Sequence, residues 1–437
     1  MEWWDVLLLI FSALGVLVAI GMPVAFAFLL VNIGAIFILQ GGGRAFHSLT
    51  LSMYDAVSSF TLLPIALFVL MGEILWHSNM AFKALDVLDK LLGRLIGRLS
   101  ILTVATGTVF SSLSGSTMAN TALLGTMLLP EMQRRGYKNP MSIGPIIGSG
   151  GLAMMIPPSS LAVILAAIGK LSIGKLLIGA LIPGLIMAVL YLGYIIVRCK
   201  MQPHLTPSYD IAPVPLREKL IGVVKYLLPL GVIVFLVTGV IVIGVATPTE
   251  AAALGCFGSI VMAAAYGGLT FESLKKAVMG TVHISVMMLA ILASALTFSQ
   301  VLAYSGASRG LLEYVLTLAI EPLLMVLMMQ LVVLVLGMFM EQVAIMLIML
   351  PLYIPVINAL GLDPIWFGVL MLINLQMALT TPPFGMLLFV MKGVAPPTTT
   401  MRQIYTAGMP FLACDATALT IVMLVPATVT FLPGLFY

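Results

Sequence analysis

The apolar residues of this chain gather in long continuous runs, and that grouping limits the fold more than any motif does. The runs lie at about residues 4–20, 23–39, 60–76, 99–130, 141–168 and 176–197, then, after a polar break, at about 226–243, 248–266, 277–304, 323–355, 364–391 and 403–432. An α-helix crosses the hydrocarbon layer with roughly 17–25 apolar residues, so each run supplies at least one span or a folded-back pair. A soluble protein could not hide them: 61% of the 437 residues are hydrophobic and 8% charged, against about a quarter charged in a soluble domain. Soluble enzymes, nucleic-acid binders and disordered chains are excluded. Continuous rather than alternating runs also exclude a transmembrane β-barrel. The fold expected is all-α, polytopic and membrane-embedded.

Few residues remain for covalent chemistry. The histidines His47, His77, His204 and His283 are scattered, as are Cys199, Cys256 and Cys414, so neither a metal-dependent enzyme nor a disulfide framework is expected. The chain reads as a non-enzyme, and with no phosphate-cradling loop ATP is not its direct energy source. The start, Met1-Glu-Trp-Trp-Asp5, lacks the basic segment of a signal peptide, so the first run is expected to remain as a helix with Trp3 and Trp4 at the interface.

Six runs, a connector and six runs point to a duplication. Shifting the sequence by 225 residues places Pro23 on Pro248, Pro130 on Pro355, Pro157 on Pro382 and Pro158 on Pro383. Chance would give about one such coincidence, so an internal repeat is expected. Phe46-x-Ser48-Leu49 likewise falls on Phe271-x-Ser273-Leu274. With a two-residue slip, Ser172, Lys175 and Pro183 meet Thr399, Arg402 and Pro410. The domains expected are a first repeat at 1–197, a connector at 198–225 and a second repeat at 226–437.

Charge sets their relative orientation. Segment 131–138 holds Glu131, Arg134, Arg135 and Lys138, whereas its partner 356–363 holds only Asp363. Segment 78–98 carries Lys83, Asp86, Asp89, Lys90, Arg94 and Arg98, against Arg309, Glu313 and Glu321 in 303–323. Basic loops mark the cytoplasmic side, so equivalent loops fall on opposite sides and the repeats are inverted. Each half then has about five crossings plus one re-entrant hairpin, at 99–130 and 323–355. The N-terminus lies outside; the connector, with Lys275-Lys276 and Lys392, lies inside. Residues 80–98 are amphipathic and read as an interfacial helix.

Four places interrupt the helical pattern: Phe110-Ser-Ser-Leu-Ser-Gly-Ser-Thr117, Gly148-Ser-Gly-Gly151 with the following Pro157-Pro158-Ser-Ser160, Leu336-Gly-Met-Phe-Met-Glu341, and Leu379-Thr-Thr-Pro-Pro-Phe-Gly385. Small residues also serve close helix packing. Here, however, each hairpin break is matched by a Pro-Pro break in its own half, twice over. A double proline removes two backbone donors, and irregular backbone at membrane depth is tolerated where it lines protein or a cavity. Freed carbonyls and hydroxyls suit a hard monovalent cation, and half-helix N-termini suit an anion. Thr247-Pro-Thr-Glu250 reads as a capping box, and Asn139-Pro140 and Asp363-Pro364 read as helix starts. Intramembrane ionisable residues add Glu341, Glu73, His283 and Asp415, with Glu341 at a hairpin tip the foremost. The 31 methionines are mostly apolar filler.

Taken together, Gly21-Met-Pro-Val24, Ser114-Gly-Ser116, Ile156-Pro-Pro-Ser159, Ala246-Thr-Pro-Thr-Glu-Ala-Ala-Ala253, Gly361-Leu-Asp-Pro364 and Thr381-Pro-Pro-Phe-Gly385 resemble the large membrane subunit of a TRAP (tripartite ATP-independent periplasmic) transporter. The resemblance covers essentially the whole chain. It implies a Na⁺-driven elevator in the bacterial inner membrane that imports organic acid anions such as dicarboxylates or sialic acid. A periplasmic substrate-binding protein and a small four-helix membrane subunit would be its partners. Na⁺ is the coupling ion and the only metal implied, with no organic cofactor and no catalytic residue. Carried over by position, one Na⁺ site would involve Ser111, Ser114, Ala153, Ile156 and Pro158, and the other Gly337, Thr380, Thr381, Pro383 and Gly385. Substrate would lie near Ser116, Thr117, Asn120 and Thr381. The chain departs from the family pattern at Glu341, where members often have Asp, and at Gln376, where an acidic residue is common. The rival reading is a stand-alone ion-coupled carboxylate carrier that needs no binding protein.

Overall fold

A computed structural model describes residues 2–40, 43–58, 62–78, 80–92, 95–207, 215–318 and 320–436. Among them every regular element is helical. The first part of the chain forms α1 (Trp3–Ala19), α2 (Val24–Gln40), α3 (Gly43–Ser58), α4 (Leu63–His77), α5 (Met80–Leu92), α6 (Arg98–Ser114), α7 (Thr117–Arg134), α8 (Asn139–Gly151), α9 (Ser160–Gly169) and α10 (Ile173–Met201). The second part forms α11 (Leu216–Val242), α12 (Pro248–Ala265), α13 (Phe271–Tyr304), α14 (Ala307–Thr317), α15 (Pro322–Gly337), α16 (Gln342–Ala359), α17 (Pro364–Thr380), α18 (Met386–Val394), α19 (Met401–Leu424) and α20 (Ala427–Phe436). Six of these, α10, α11, α12, α13, α16 and α19, are long and apolar enough to cross a membrane.

Local chemistry sets the boundaries. Thr247 caps α12 in a capping box with Glu250, and Asp363 caps α17 through the N–H groups of Ile365 and Trp366, both as the sequence predicts. The start of α8 differs by one residue: Lys138 stands at the cap and Asn139 is already helical. Gly97 and Gly115, in the left-handed region, bound α6 at both ends. One helix departs from the pattern of runs. Residues 43–58, too polar to register as a span, form α3, whereas the matching stretch in the second part belongs to the unbroken 34-residue α13. The last run is also divided, at Val425-Pro426, into α19 and α20.

The helices pack as two groups. α4 lies against α12 and α13, and α2 and α3 also pack on α13; α11 lies on α12 and α1 on α14. The other group is built around α8 and α17. α6, α7 and α19 pack on α8, while α15 and α19 pack on α17. Contacts pair across the two parts, α7 with α18 and α16 with α9. The second group holds the buried centre: Met141–Gly151 of α8 and Trp366–Thr380 of α17 are buried throughout. By contrast α11 is only 17% buried and presents Leu220, Val224, Leu228 and Phe235 outward. The amphipathic α5 is tied down by charge, through Asp89 to Arg98 at 2.8 Å and through Lys90 to Glu218 of α11 at 3.1 Å.

Candidate functional site

Both double prolines break a helix in the buried group. In an unbroken helix the carbonyls of Ala153 and Met154 would accept from residues 157 and 158, and those of Ala378 and Leu379 from residues 382 and 383. Proline has no N–H to give. After α8 the chain makes one 3₁₀ turn, Leu152–Met154, and restarts at α9 with Ser159 as N-cap. After α17 it turns through Thr381–Gly385 into α18.

Each break receives a hairpin tip. The tip between α6 and α7 is Gly115-Ser116, and its Gly115 carbonyl accepts a hydrogen bond from Ser160 Oγ at 2.8 Å. A side chain at Gly115 would meet the Pro158 carbonyl at 3.3 Å, which explains a glycine there beyond its positive φ. Ser111 Oγ donates to the Gly107 carbonyl at 2.6 Å, and Asn120 Nδ2 donates to Ser111 Oγ at 3.0 Å. Of the first predicted cation set, Ser111 lies in the last turn of α6, and Ala153, Ile156 and Pro158 lie at the break that the Gly115 tip meets. Ser114 is the last residue of α6, and its side chain lies outside the described residues.

The second set likewise lies at a helix end and a break. Gly337, the last residue of α15, crosses Ala378 so closely that a Cβ would come within 2.2 Å of the alanine methyl. Thr380 and Thr381 both donate their hydroxyls to the Met377 carbonyl, at 3.0 and 2.6 Å. The carbonyls of Leu379 and Thr381 close on Gly385, where an added Cβ would meet them at 2.4 and 2.9 Å. The Pro383 carbonyl accepts from Tyr405 Oη at 2.8 Å. Phe339 of the tip and Phe384 of the break pack in a tilted pair with ring centroids 5.6 Å apart. Both sets offer neutral oxygens, the donor chemistry of a hard cation.

Between the tips lies a cavity of about 270 Å³. One side is Gly115, Ser116 and Thr117 at the start of α7; another is Glu341, Gln342 and Val343 at the start of α16. Ser160 and Leu161 of α9 add to the tip side, and the facing wall comes from the first group of helices, with Glu73 and Trp76 on α4 and Met287 and Ile291 on α13. Two helix N-termini therefore open on one space; that of α7, capped by the neutral Ser116, favours an anion, whereas that of α16 already holds the Glu341 side chain. Of the four predicted substrate residues, Ser116 and Thr117 line it. Asn120 is turned instead into the packing of α6 on α8, reaching the Gly107 and Ser149 carbonyls. Thr381 belongs to the second break and is not part of the cavity wall. Glu341 does line the cavity and also caps α16, accepting the Val343 N–H at 3.1 Å.

Two features escaped sequence reasoning. Glu73 registers as an intramembrane acid, but no pattern places Gly280 opposite it: a Cβ on Gly280 would lie 2.7 Å from Glu73 Oε2. Likewise nothing local sets the fully buried Asp415 beside Tyr191, whose hydroxyl donates to Oδ1. The remaining ionisable candidate, His283, is exposed on α13, while His77 pairs with Glu73 at 3.4 Å.

The family model described as "Tripartite ATP-independent periplasmic transporter, DctM component" matches residues 11–428. The chain belongs to the TRAP transporter family. It is a multi-pass membrane protein and a large permease component of such a system, and the resemblance read from its motifs holds. Among similar proteins is the C4-dicarboxylate TRAP transporter large permease protein DctM of Pseudomonas aeruginosa, 32% identical over 409 residues that cover 92% of each chain. The sialic acid TRAP transporter large permease protein SiaM of Vibrio cholerae is 29% identical and covers 98% of each. The solved structure of the YdaH transporter of Alcanivorax borkumensis aligns with a TM-score of 0.60 at 14% identity, over 92% of this chain and 97% of that one. That likeness speaks for the fold of the TRAP permease alone.

Proposed function

We propose that this TRAP permease imports an organic acid anion together with Na⁺, bound in the cavity between the two hairpin tips and carried by movement of the α6–α10 and α15–α20 group against the rest. The observation that carries this reading is the cavity itself: both tips, two helix N-termini and the wall of the other helix group meet at one space. Each proposed cation site shares its hairpin tip or broken helix with that space. Filling a site would order the tip next to it and so prepare the cavity for the anion, a differential interaction of the kind that coupling requires. The dicarboxylate and sialic acid named for the relatives define the class of substrate. Binding-protein delivery and a small four-helix partner follow the tripartite description of the family. The exposed apolar face of α11 offers that partner a surface.

The inverted repeat is part of the same reading. Elements follow one another in matching order, α6 to α10 and α15 to α19, and their packing pairs exchange between the halves, α7–α18 for α16–α9. Opposite loop charges place the N-terminus in the periplasm and the connector in the cytoplasm. Such a repeat can exchange outward and inward forms by swapping the roles of its halves. The test is uptake by proteoliposomes holding the permease, its small subunit and its receptor. Uptake is expected to need both Na⁺ and the receptor. Undiminished transport without Na⁺ would sink the coupling, and undiminished transport without the receptor would favour a stand-alone carrier.

A further inference from the structure

We propose that Glu73 reads a hydrogen-bond donor on the substrate, so that the transported acid bears a hydroxyl or ammonium group beside its carboxylate. This rests on the cavity between the tips being the substrate site. The first hairpin tip supplies the anion-binding side, through the start of α7, since Glu341 already occupies the start of α16. The wall from α4 and α13 is almost wholly apolar, with Trp76, Met287 and Ile291, and Glu73 is the acidic group it contributes. An ionised carboxylate only accepts, so the substrate group facing it must donate. The position is built for the carboxylate: Gly280 leaves the space that Glu73 Oε2 occupies, and His77 Nε2 approaches that same oxygen at 3.4 Å. Oε1 is left for a ligand. A second, independent group points into the same space. Gln342 is 3% exposed and lines the cavity, and its described hydrogen bond is a weak one from Nε2 to Met154 Sδ at 3.8 Å. Its amide oxygen, a further acceptor, has no partner among the described residues. A donor-free acid would set a methylene against both acceptors and forgo their hydrogen bonds.

The experiment uses the permease with its small subunit in detergent and NaCl, with thermal stability followed against two matched series of acids. Succinate, malate and aspartate share four carbons, and propionate, lactate and alanine share three. Within each series only the group on C2 changes. The hydroxy or amino member is expected to bind about tenfold more tightly than its donor-free parent, the discrimination of a charge-assisted hydrogen bond. Glu73→Ala should erase that preference. Glu73→Gln, which keeps an acceptor but not the charge, should retain a hydroxyl preference and lose an ammonium one, which distinguishes the two sources. Equal binding across a series, or a preference that survives in Glu73→Ala, would overturn the inference while leaving the cavity reading intact. Loss of Na⁺ stabilisation in Glu73→Ala with no effect on the acids would make Glu73 a cation ligand and also overturn it. No stabilisation by any acid would overturn the cavity reading and this inference with it.

Discussion

Gln376 lies flat against the backbone of Gly151: a Cβ added to the glycine would stand 1.6 Å from Gln376 Nε2 and 1.9 Å from its Cδ. The two residues are 225 apart, the same step of the two proposed repeats, and they meet where α8 and α17 each approach their break. Both polar atoms of the Gln376 amide are buried without a described partner. Gly151→Ala should therefore push the Gln376 side chain aside and lower stability by about 1–3 kcal/mol, the usual cost of overpacking. Gln376→Ala in the same chain should restore most of it. A double-mutant cycle read by thermal unfolding in detergent checks this, and additive losses would mean that the contact is unimportant.

Asn120 of α7 ties the two arms of the first hairpin together and to α8, donating to the Gly107 carbonyl and Ser111 Oγ of α6 and to the Ser149 carbonyl. Asn120→Ala is expected to cost about 1–3 kcal/mol, because buried acceptors lose their donor. It should also raise the Na⁺ concentration needed for half-maximal uptake. A variant that loses stability with an unchanged Na⁺ curve would show that the bonds hold only the fold.

The two proposed cation sites predict parallel losses. Ser111→Ala and Thr381→Ala each remove a hydroxyl while preserving the backbone carbonyls. Each should weaken Na⁺ dependence about tenfold, the scale of one lost ligand to a charged group. Titrating uptake against Na⁺ in proteoliposomes is the measurement, and wild-type curves for both variants would remove these residues from the sites.

Tyr191 and Asp415 predict an asymmetric pair of variants. Tyr191→Phe leaves a buried carboxyl group without its donor and should destabilise by about 1–3 kcal/mol. Asp415→Asn keeps an acceptor for the tyrosine hydroxyl and should be milder. Melting temperatures decide, and the reverse order would contradict the pairing.

At the far end of α7, burial pushes the Glu131 carboxyl up, but hydrogen bonds and charge from Arg134 and Arg135 outweigh it and hold it below its ordinary 4.5. A depressed acid contributes stability above its unfolded value and loses that contribution as pH falls through the lower folded one. Acidification below pH 4.5 should therefore release both arginines, at a cost under about 1 kcal/mol because the pairs are partly exposed. Melting curves over that range should be flatter for Arg134→Ala with Arg135→Ala.

What could be read from the sequence was what acts locally. Pro157-Pro158 and Pro382-Pro383 break helices wherever they stand, and Gly115 ends α6 by its own backbone freedom, so the positions of these breaks were legible. α3 was missed because its polar residues hide it from a search for apolar runs. The match of Phe46-x-Ser48-Leu49 to the start of α13 was the available signal. Contacts between distant helices left no such trace. Gly280 beside Glu73, and Gly151 beside Gln376, depend on how helices cross, and an empty side chain gives no hint of what will fill its place. Asn120 illustrates the same limit: its place in the family pattern marked it for the substrate, but only packing decides whether it turns to the cavity or into the helix layer.

The bond from Ser160 Oγ to the Gly115 carbonyl fastens the hairpin tip to the restarted helix behind it. A door swinging on its own hinge would have to break that fastening each time it opened. A carriage that travels with its door shut keeps it throughout. Under the proposed movement passage needs no separate latch: what uncovers the cargo is the departure of the opposite wall, and a leak would require door and carriage to part company.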